Sequence, residues 1–344
     1  MTAEAMNETA TAGQATDVGN GRRTDGSGAL APATVRELEA AGLDVSDVVR
    51  AVRAALDEDF RYGPDVTSAA TVAGRTVTAD VVAREAGVVA GLPVALAVFD
   101  LLPEYLGGDA EVASHAGSSA RGPWPTATAA ALVADGTRVA PGDAVLRVSG
   151  DAVAVLGAER TMLNFVTHLS GIASATREWA DALAGTGAVV RDTRKTLPGL
   201  RSLQKYAVRC GGGENHRMAL GDAALIKDNH VAAAGGVAAA VRAVRAAASP
   251  GLVIEVECES VTQVREALSA GARFILLDNM PVPTLREAVA VARAYDGVLL
   301  ESSGRLQVAN ADAVAATGVD YLSVGALTHS SRTLDLGLDY SGTA

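Results

Sequence analysis

The chain has 344 residues, of which 49% are hydrophobic and 20% are charged, and its formal net charge is −11 at pH 7. This length allows one large domain or two ordinary ones. The acidic balance excludes a general nucleic-acid-binding protein, which needs a basic surface to collect phosphates. Since no run of 18 apolar residues and no secretory start is present, we expect a cytoplasmic protein without a membrane span.

The pattern of apolar residues changes twice over the first part of the chain. Residues 1–29 lack periodic apolar positions, so we expect a disordered tail. Over residues 34–56 the apolar positions keep helical spacing, which predicts a helix. Over residues 76–155 short β-branched runs alternate with glycine and proline turns. We therefore predict an α+β domain over residues 30–155.

The remaining chain repeats a regular pattern of predicted strands and helices. A long helix is predicted from Leu156, and six strand-length apolar runs follow it, most of them separated by stretches that can hold a helix. Strands that are apolar throughout, each followed by a helix, indicate buried parallel strands in repeated βα units. Six such units in succession favour an α/β barrel over residues 156–329. The runs are AVVRDTRK, AALIKDNH, LVIEVEC, RFILLDN, GVLLESSG and DYLSVGA.

Polar side chains and small-residue turns follow these predicted strands. In a barrel of this kind the chemistry lies at the carboxyl ends of the strands. Reading those ends gives a set of cations, carboxylates and turns: Arg194, Lys195, Lys227, Glu257, Asp278, Ser303–Gly304 and Gly325–Ala326. The chain has only three lysines, and two of them belong to this set. We interpret the third, Lys205, as a surface residue.

These residue types suit a substrate pair with several negative charges. Arg194 and Arg217 can each hold a carboxylate through two parallel hydrogen bonds. Two carboxylates in one mouth suit Mg²⁺, which combines one or two protein oxygens with substrate phosphate oxygens. Glycine turns expose main-chain N–H groups that can hold a phosphate. The residues alone therefore predict anionic substrates, one of them a Mg²⁺-bound phosphate ester, without identifying the reaction.

Several longer motifs occur in a recognisable order. The segment DTRKTLPGLRSLQKYAVRCGGGENHR over residues 192–217 is followed by LGDAALIKDNH over 220–230, and AERTMLNFVTHLSGIASAT precedes both at 158–176. Together with REAGVVAGLPVA, VEC…LLDNM and VDYLSVGALTHS, they resemble the quinolinate phosphoribosyltransferase family over residues 35–340. The resemblance implies an N-terminal α+β sandwich, joined by residues 330–344, and an incomplete α/β barrel.

The resemblance also implies a reaction and a set of sites. Quinolinate and 5-phosphoribosyl-1-pyrophosphate would give nicotinate mononucleotide, pyrophosphate and CO₂, in a homodimer or higher oligomer that needs Mg²⁺. Catalysis is expected of Lys195, Lys227, Glu257 and Asp278, the two carboxylates acting through Mg²⁺. Quinolinate would be bound by Thr193, Arg194, His216, Arg217, Lys227 and, from the partner subunit, Arg160. Phosphoribosyl pyrophosphate would be bound by Lys195, Glu257, Asp278, Ser303, Gly304, Arg305, Val324, Gly325 and Ala326.

One position departs from the family pattern, which usually has a second glycine where this chain has Arg305. The side chain would either obstruct the phosphate or add a contact to it. Three alternatives stay open: a paralogue for another acidic ring or for molybdenum transport, an inactive metabolite-binding scaffold, and an aldolase with a Schiff base on Lys227. A neutral or monoanionic substrate would leave buried cations unpaired, which argues against the first.

Overall fold

The computed structural model describes residues 30–106 and 126–343, so the predicted tail 1–29 lies outside the described residues. Within those ranges, no helix is both long enough and apolar enough to cross a membrane. The described chain forms an antiparallel sheet covered by helices and a larger parallel sheet with a helix after most strands. The predicted α/β fold class is confirmed.

The described residues begin with three helices, α1 (Pro32–Ala40), α2 (Val45–Asp59) and α3 (Val66–Thr71). The helical spacing over residues 34–56 is therefore divided between α1 and α2. The chain breaks at Gly42, whose φ is +65°, and the Asp44 side chain accepts the N–H of Asp47 to start the second helix. Apolar spacing continues across this break, but a left-handed glycine and a new N-cap separate the two helices.

A four-stranded antiparallel sheet follows, with its strands in the order β12-β1-β5-β3. Along β1 the burial alternates, because successive side chains of a strand point to opposite faces. A two-stranded ladder, β2–β4, lies beside it. The bounds are β1 (Thr76–Ala83), β2 (Gly87–Val88), α4 (Leu92–Leu101), α5 (Pro103–Leu106), β3 (Ala127–Ala131), β4 (Arg138–Val139), β5 (Ala144–Asp151) and β12 (Leu336–Thr343).

Helix α6 (Ala152–Ala182) connects the two sheets and begins four residues before the predicted start at Leu156. The Asp151 side chain accepts the N–H of Val153 and so fixes that start. Small residues on α6 let other segments approach closely: a Cβ on Gly171 would lie 1.9 Å from the carbonyl oxygen of Arg332. The predicted boundary between residues 155 and 156 falls inside this helix, and the division into domains stays a prediction.

The parallel sheet contains six strands in the order β6-β11-β10-β9-β8-β7, with β6 and β7 at its edges. Because these edge strands do not pair with each other, the barrel is open on one side. The strands are short and apolar, with the bounds β6 (Val189–Arg191), β7 (Ala224–Ile226), β8 (Ile254–Cys258), β9 (Phe274–Asp278), β10 (Leu299–Ser303) and β11 (Tyr321–Ser323).

Helices connect consecutive strands and cover the outside of this sheet. The register aligns Asp278 with Ser303, and Ser303 with Ser323, so the carboxyl ends of three neighbouring strands lie at one level. The helices are α7 (Arg201–Cys210), α8 (Asp228–Ala234), α9 (Val237–Ala247), α10 (Val261–Ser269), α11 (Val282–Ala292), α12 (Ala311–Ala315) and α13 (Ala326–His329).

Candidate active site

A cavity of about 610 Å³ opens at the carboxyl ends of the parallel strands. Fourteen of the fifteen residues expected to form the site line it, and Arg160 is the exception. The parallel fold brings them together because every strand of such a sheet ends at the same edge. They are Thr193, Arg194, Lys195, His216, Arg217, Lys227, Glu257, Asp278, Ser303, Gly304, Arg305, Val324, Gly325 and Ala326.

The cations of the cavity are mostly unpaired. Among the described residues, Arg194, Lys195 and Arg305 have no carboxylate within ion-pair distance. Arg217 uses Nη1 to donate to the carbonyl of Ala223 at 2.8 Å, while the Nε atoms of Arg194 and Arg217 are buried without a partner. Burial and the neighbouring Arg194 charge lower the pKa of Arg217. An anionic ligand would satisfy these donors and relieve the repulsion.

Two carboxylates lie on neighbouring strands of the same mouth. Lys227 Nζ is 2.9 Å from Glu257 Oε2, which leaves the other oxygen of Glu257 free for a ligand within the described structure. Asp278 accepts hydrogen bonds from Ser303 Oγ and from Asn279 Nδ2, the latter at 2.6 Å. Oxygen donors of this kind, two in number, fit Mg²⁺ shared with substrate phosphates.

The turn after β10 has a constrained backbone. A Cβ on Gly304 would lie 2.2 Å from Asn279 Oδ1, so the position accommodates only glycine. Asn279, which follows β9 and lies against Gly304, and Arg305, the residue after Gly304, both have φ of +53°, in the left-handed region. For arginine this conformation costs about 1 kcal/mol or more. The exposed guanidinium of Arg305 thus lines the cavity from a strained position.

A buried ion pair lies beneath the cavity. Lys205 on α7 is fully buried, and its Nζ donates to Asp192 and, at 2.8 Å, to the carbonyl of His216. The interpretation of Lys205 as a surface residue is therefore wrong. Asp192 follows β6 and also accepts the N–H of His216 at 2.8 Å. The pair clamps both main-chain groups of His216 and so fixes the segment that carries Arg217.

Two further carboxylates lie within the barrel beside His216. Its Nε2 is 2.9 Å from Glu255 Oε2 and 3.6 Å from Glu301 Oε1. Glu301 is held by Arg191 at 2.8 Å and by Ser323 Oγ. Burial raises the pKa of Glu255 to about 7, and burial with the charge of Glu255 raises that of Glu301 to about 7.

The structure adds lining residues that the strand-end reasoning missed. Glu301 lies two positions before the end of β10 and Ser323 is the last residue of β11, and a glutamate in the apolar run GVLLESSG was the available signal. His329 also borders the cavity. Apolar lining residues carry no chemical signal in the sequence. The additional residues are Leu225, Leu276, Asn279, Glu301, Leu306, Ser323 and His329.

Arg160 lies on the third turn of α6 and does not line this cavity. Its side chain is exposed and makes no hydrogen bond or ion pair with another described residue. The single chain therefore leaves Arg160 free for a ligand or another chain.

Comparison with known sequences matches both halves of the chain to one protein family. Residues 65–170 match the family described as "Quinolinate phosphoribosyl transferase, N-terminal domain", and residues 172–339 match the corresponding C-terminal domain. The chain is 54% identical to "Nicotinate-nucleotide pyrophosphorylase [carboxylating]" of Mycobacterium leprae over 292 residues. This match covers 84% of the chain and 95% of that protein.

Solved structures show the same fold. The nicotinate-nucleotide pyrophosphorylase of Francisella tularensis superimposes with a TM-score of 0.75 at 34% identity, covering 86% of this chain and 96% of that one. NadC from Streptococcus pyogenes gives a TM-score of 0.73 at 38% identity, covering 85% and 96%.

Proposed function

Because this chain belongs to the quinolinate phosphoribosyltransferase family, we propose that its barrel mouth joins quinolinate to 5-phosphoribosyl-1-pyrophosphate. The products are nicotinate mononucleotide, pyrophosphate and CO₂, a step of NAD biosynthesis. The resemblance seen in the motifs is confirmed. The observation that carries the proposal is the pair Arg194 and Arg217, two adjacent cations without a protein partner for their buried Nε atoms.

Quinolinate is a dianion, and its two carboxylates match the arginines and lysines of the cavity, of which only Lys227 has a carboxylate partner in the described chain. Arg194, Arg217 and Lys227 bind them, with Thr193 at the same edge of the cavity. Charge-assisted hydrogen bonds of this kind contribute about 1.5–3 kcal/mol each. Nicotinate has one carboxylate fewer and leaves one of these cations unpaired, so the site selects the diacid.

Phosphoribosyl pyrophosphate binds across the opposite strands. The turns Ser303–Gly304 and Gly325–Ala326 hold the 5-phosphate through main-chain N–H groups, while the N–H of Val324 is donated to the carbonyl of Arg191 and Val324 only lines the cavity. Lys195, exposed and unpaired in the described chain, faces the pyrophosphate. Glu257 and Asp278 would hold Mg²⁺, which when bound neutralises charge on the pyrophosphate.

Positioning and electrostatics account for the chemistry. The ring nitrogen of quinolinate attacks the ribose C1 while pyrophosphate leaves, through a transition state with oxocarbenium character, and Lys195 stabilises the leaving group. The alkylated ring is cationic, so it stabilises the carbanion left when the adjacent carboxylate departs as CO₂. A proton then replaces that carboxylate on carbon. No covalent enzyme intermediate is required.

The site is completed in an oligomer. Arg160 is exposed, unpartnered and outside its own cavity, so we assign it to the quinolinate pocket of a second subunit. The functional unit is then at least a homodimer, and a monomer lacks one of the cations for the diacid.

Turnover tests the function directly. Purified protein is incubated with quinolinate, phosphoribosyl pyrophosphate and Mg²⁺, and nicotinate mononucleotide is measured, with nicotinate in place of quinolinate as the control. We expect product from quinolinate alone. Product from nicotinate would contradict the need for a second carboxylate. No product from folded protein that still binds quinolinate would support the inactive scaffold instead.

A further inference from the structure

Both ring nitrogens of His216 are engaged by the protein itself. Nδ1 lies 2.7 Å from the main-chain nitrogen of Arg217, and Nε2 lies 2.9 Å from Glu255 Oε2. A main-chain N–H can only donate, so Nδ1 must be the unprotonated nitrogen. The one proton of a neutral imidazole is then on Nε2, the nitrogen that faces Glu255 Oε2 at 2.9 Å.

The surroundings of the ring favour this neutral form. His216 is 9% exposed, and its burial lowers its pKa. The charged groups that face it are Glu255 from β8, Glu301 from β10, Arg191 and Asp192 at the end of β6, and Lys205 from the middle of α7. An imidazolium would place a second N–H against the N–H of Arg217, where two donors would meet.

A metal ion is a weaker explanation of the same cluster. One ligand atom each from His216, Glu255 and Glu301 lies within 4.8 Å of the others. However, Glu301 already accepts from Arg191 and Ser323, and a metal on Nε2 would displace the proton that Glu255 accepts. Hydrogen bonds within the described chain therefore account for the arrangement.

The main chain of His216 is fixed independently of its ring. Asp192 accepts its N–H and Lys205 donates to its carbonyl, both at 2.8 Å. The orientation of the ring is set by two contacts, the N–H of Arg217 on Nδ1 and Glu255 at Nε2. Glu255 is itself 2% exposed, with Oε1 buried and unpartnered in the described chain. Within the described chain, the ring of His216 is the only cationic or imidazole group within ion-pair distance of this carboxylate.

We propose that Glu255 is a positioning residue for substrate binding, and that the neutral imidazole of His216 transmits its effect to the main chain of Arg217. His216 is then a bridge within the protein rather than a cation that binds a substrate carboxylate. This inference rests on the proposed function for the identity of the diacid. The proposal divides the basic residues of the cavity into two groups. Arg194, Arg217 and Lys227 bind the substrate directly, whereas His216 is neutral and supports them.

The state of the ring is read by nitrogen NMR. Protein labelled with ¹⁵N-histidine is recorded without and with saturating quinolinate, and the His216 signals are identified by their loss in His216→Asn. We expect one protonated nitrogen, Nε2, and one unprotonated nitrogen in both states. Two protonated nitrogens in the complex would overturn the proposal. The ligand-free spectrum tests the protonation of His216 even if the protein makes no nicotinate mononucleotide. Failure of the proposed function is therefore distinguishable from failure of this inference.

Quinolinate affinity tests the positioning role. Glu255→Leu removes the acceptor for Nε2–H and should raise the quinolinate Kd and KM by about tenfold or more, as loss of an orienting partner does elsewhere. The KM for phosphoribosyl pyrophosphate should change by less than about threefold. Glu255→Gln keeps an oxygen acceptor and should recover most of the lost affinity. Glu287→Leu, at an exposed glutamate of α11, is the matched control.

A double-variant cycle shows whether the effect passes through Arg217. In an Arg217→Ala background, Glu255→Leu should raise the quinolinate Kd by less than about twofold, because the side chain it positions is gone. In a Lys227→Ala background it should keep its full effect. Two outcomes would contradict the proposal and indicate a general structural role. In the first, Glu255→Leu raises the quinolinate Kd equally in the Arg217→Ala and Lys227→Ala backgrounds. In the second, Glu255→Leu alone raises the KM for both substrates equally.

Discussion

Replacing Lys205 by methionine should destabilise the protein far more than replacing Lys195, although the two lysines are ten positions apart. Lys205 and Asp192 are each fully buried, and Lys205→Met leaves the charge of Asp192 without its counter-ion. Removing one partner of a buried pair costs about 3–5 kcal/mol. Lys195 is exposed and unpaired, so Lys195→Met should change the free energy of unfolding by less than about 0.5 kcal/mol.

Urea titration followed by circular dichroism measures both free energies of unfolding. The double variant Asp192→Asn with Lys205→Met removes both charges together, and we expect it to recover at least half of the loss, since no unpaired charge remains. In the activity assay the order of the two variants should be reversed. Lys195→Met should be stable but inactive, and Lys205→Met should lose less activity. A loss of less than about 1 kcal/mol for Lys205→Met would refute the buried-pair reasoning.

Three further variants test other parts of the site. Arg305→Gly should raise the free energy of unfolding by about 1 kcal/mol by relieving the left-handed backbone, and should change the KM for phosphoribosyl pyrophosphate; an unchanged KM would show that the guanidinium makes no phosphate contact. Mixed dimers of Arg160→Ala and Lys227→Ala chains should regain some activity, whereas verified mixed dimers without recovery would count against shared sites. The raised pKa of Glu301, about 7, predicts stability that is full below its ordinary value near 4.5 and lost as pH rises through 7. Urea midpoints at pH 5 and pH 8 should therefore differ less in Glu301→Gln than in the unmodified protein, and an equal difference would exclude this titration.

The site was largely predictable because of the regularity of a parallel sheet. Once the strands were located, the residue after each strand was expected at one edge, and Lys227, Glu257 and Asp278 do line one cavity. That reasoning needs only strand positions, which continuous apolar runs reveal. It does not require knowledge of which strands are neighbours.

The errors concern residues whose role depends on packing between distant segments. Lys205 is a charged residue on an amphipathic helix, and only the fold shows that α7 turns this side chain toward Asp192. Gly42 splits a continuous apolar pattern through its backbone angle, which spacing does not report. Glu255 did leave a signal, since a charged residue inside the apolar run LVIEVEC must either point into a cavity or find a buried partner.

The pairing of β1 with β12 has a consequence for how the protein is made. Arg84, just after β1, binds Asp339 of β12, a partner 255 positions later in the sequence. While the chain is being synthesised, β1 has one unpaired edge until the segment Leu336–Thr343 has left the ribosome. An unpaired edge strand invites association with other chains, and long-range strand pairing folds slowly. Strand β11 (Tyr321–Ser323), through which β6 joins the rest of the parallel sheet, lies shortly before β12 in the sequence, so both sheets gain a missing strand late in synthesis. The edge of β1 stays open during that interval.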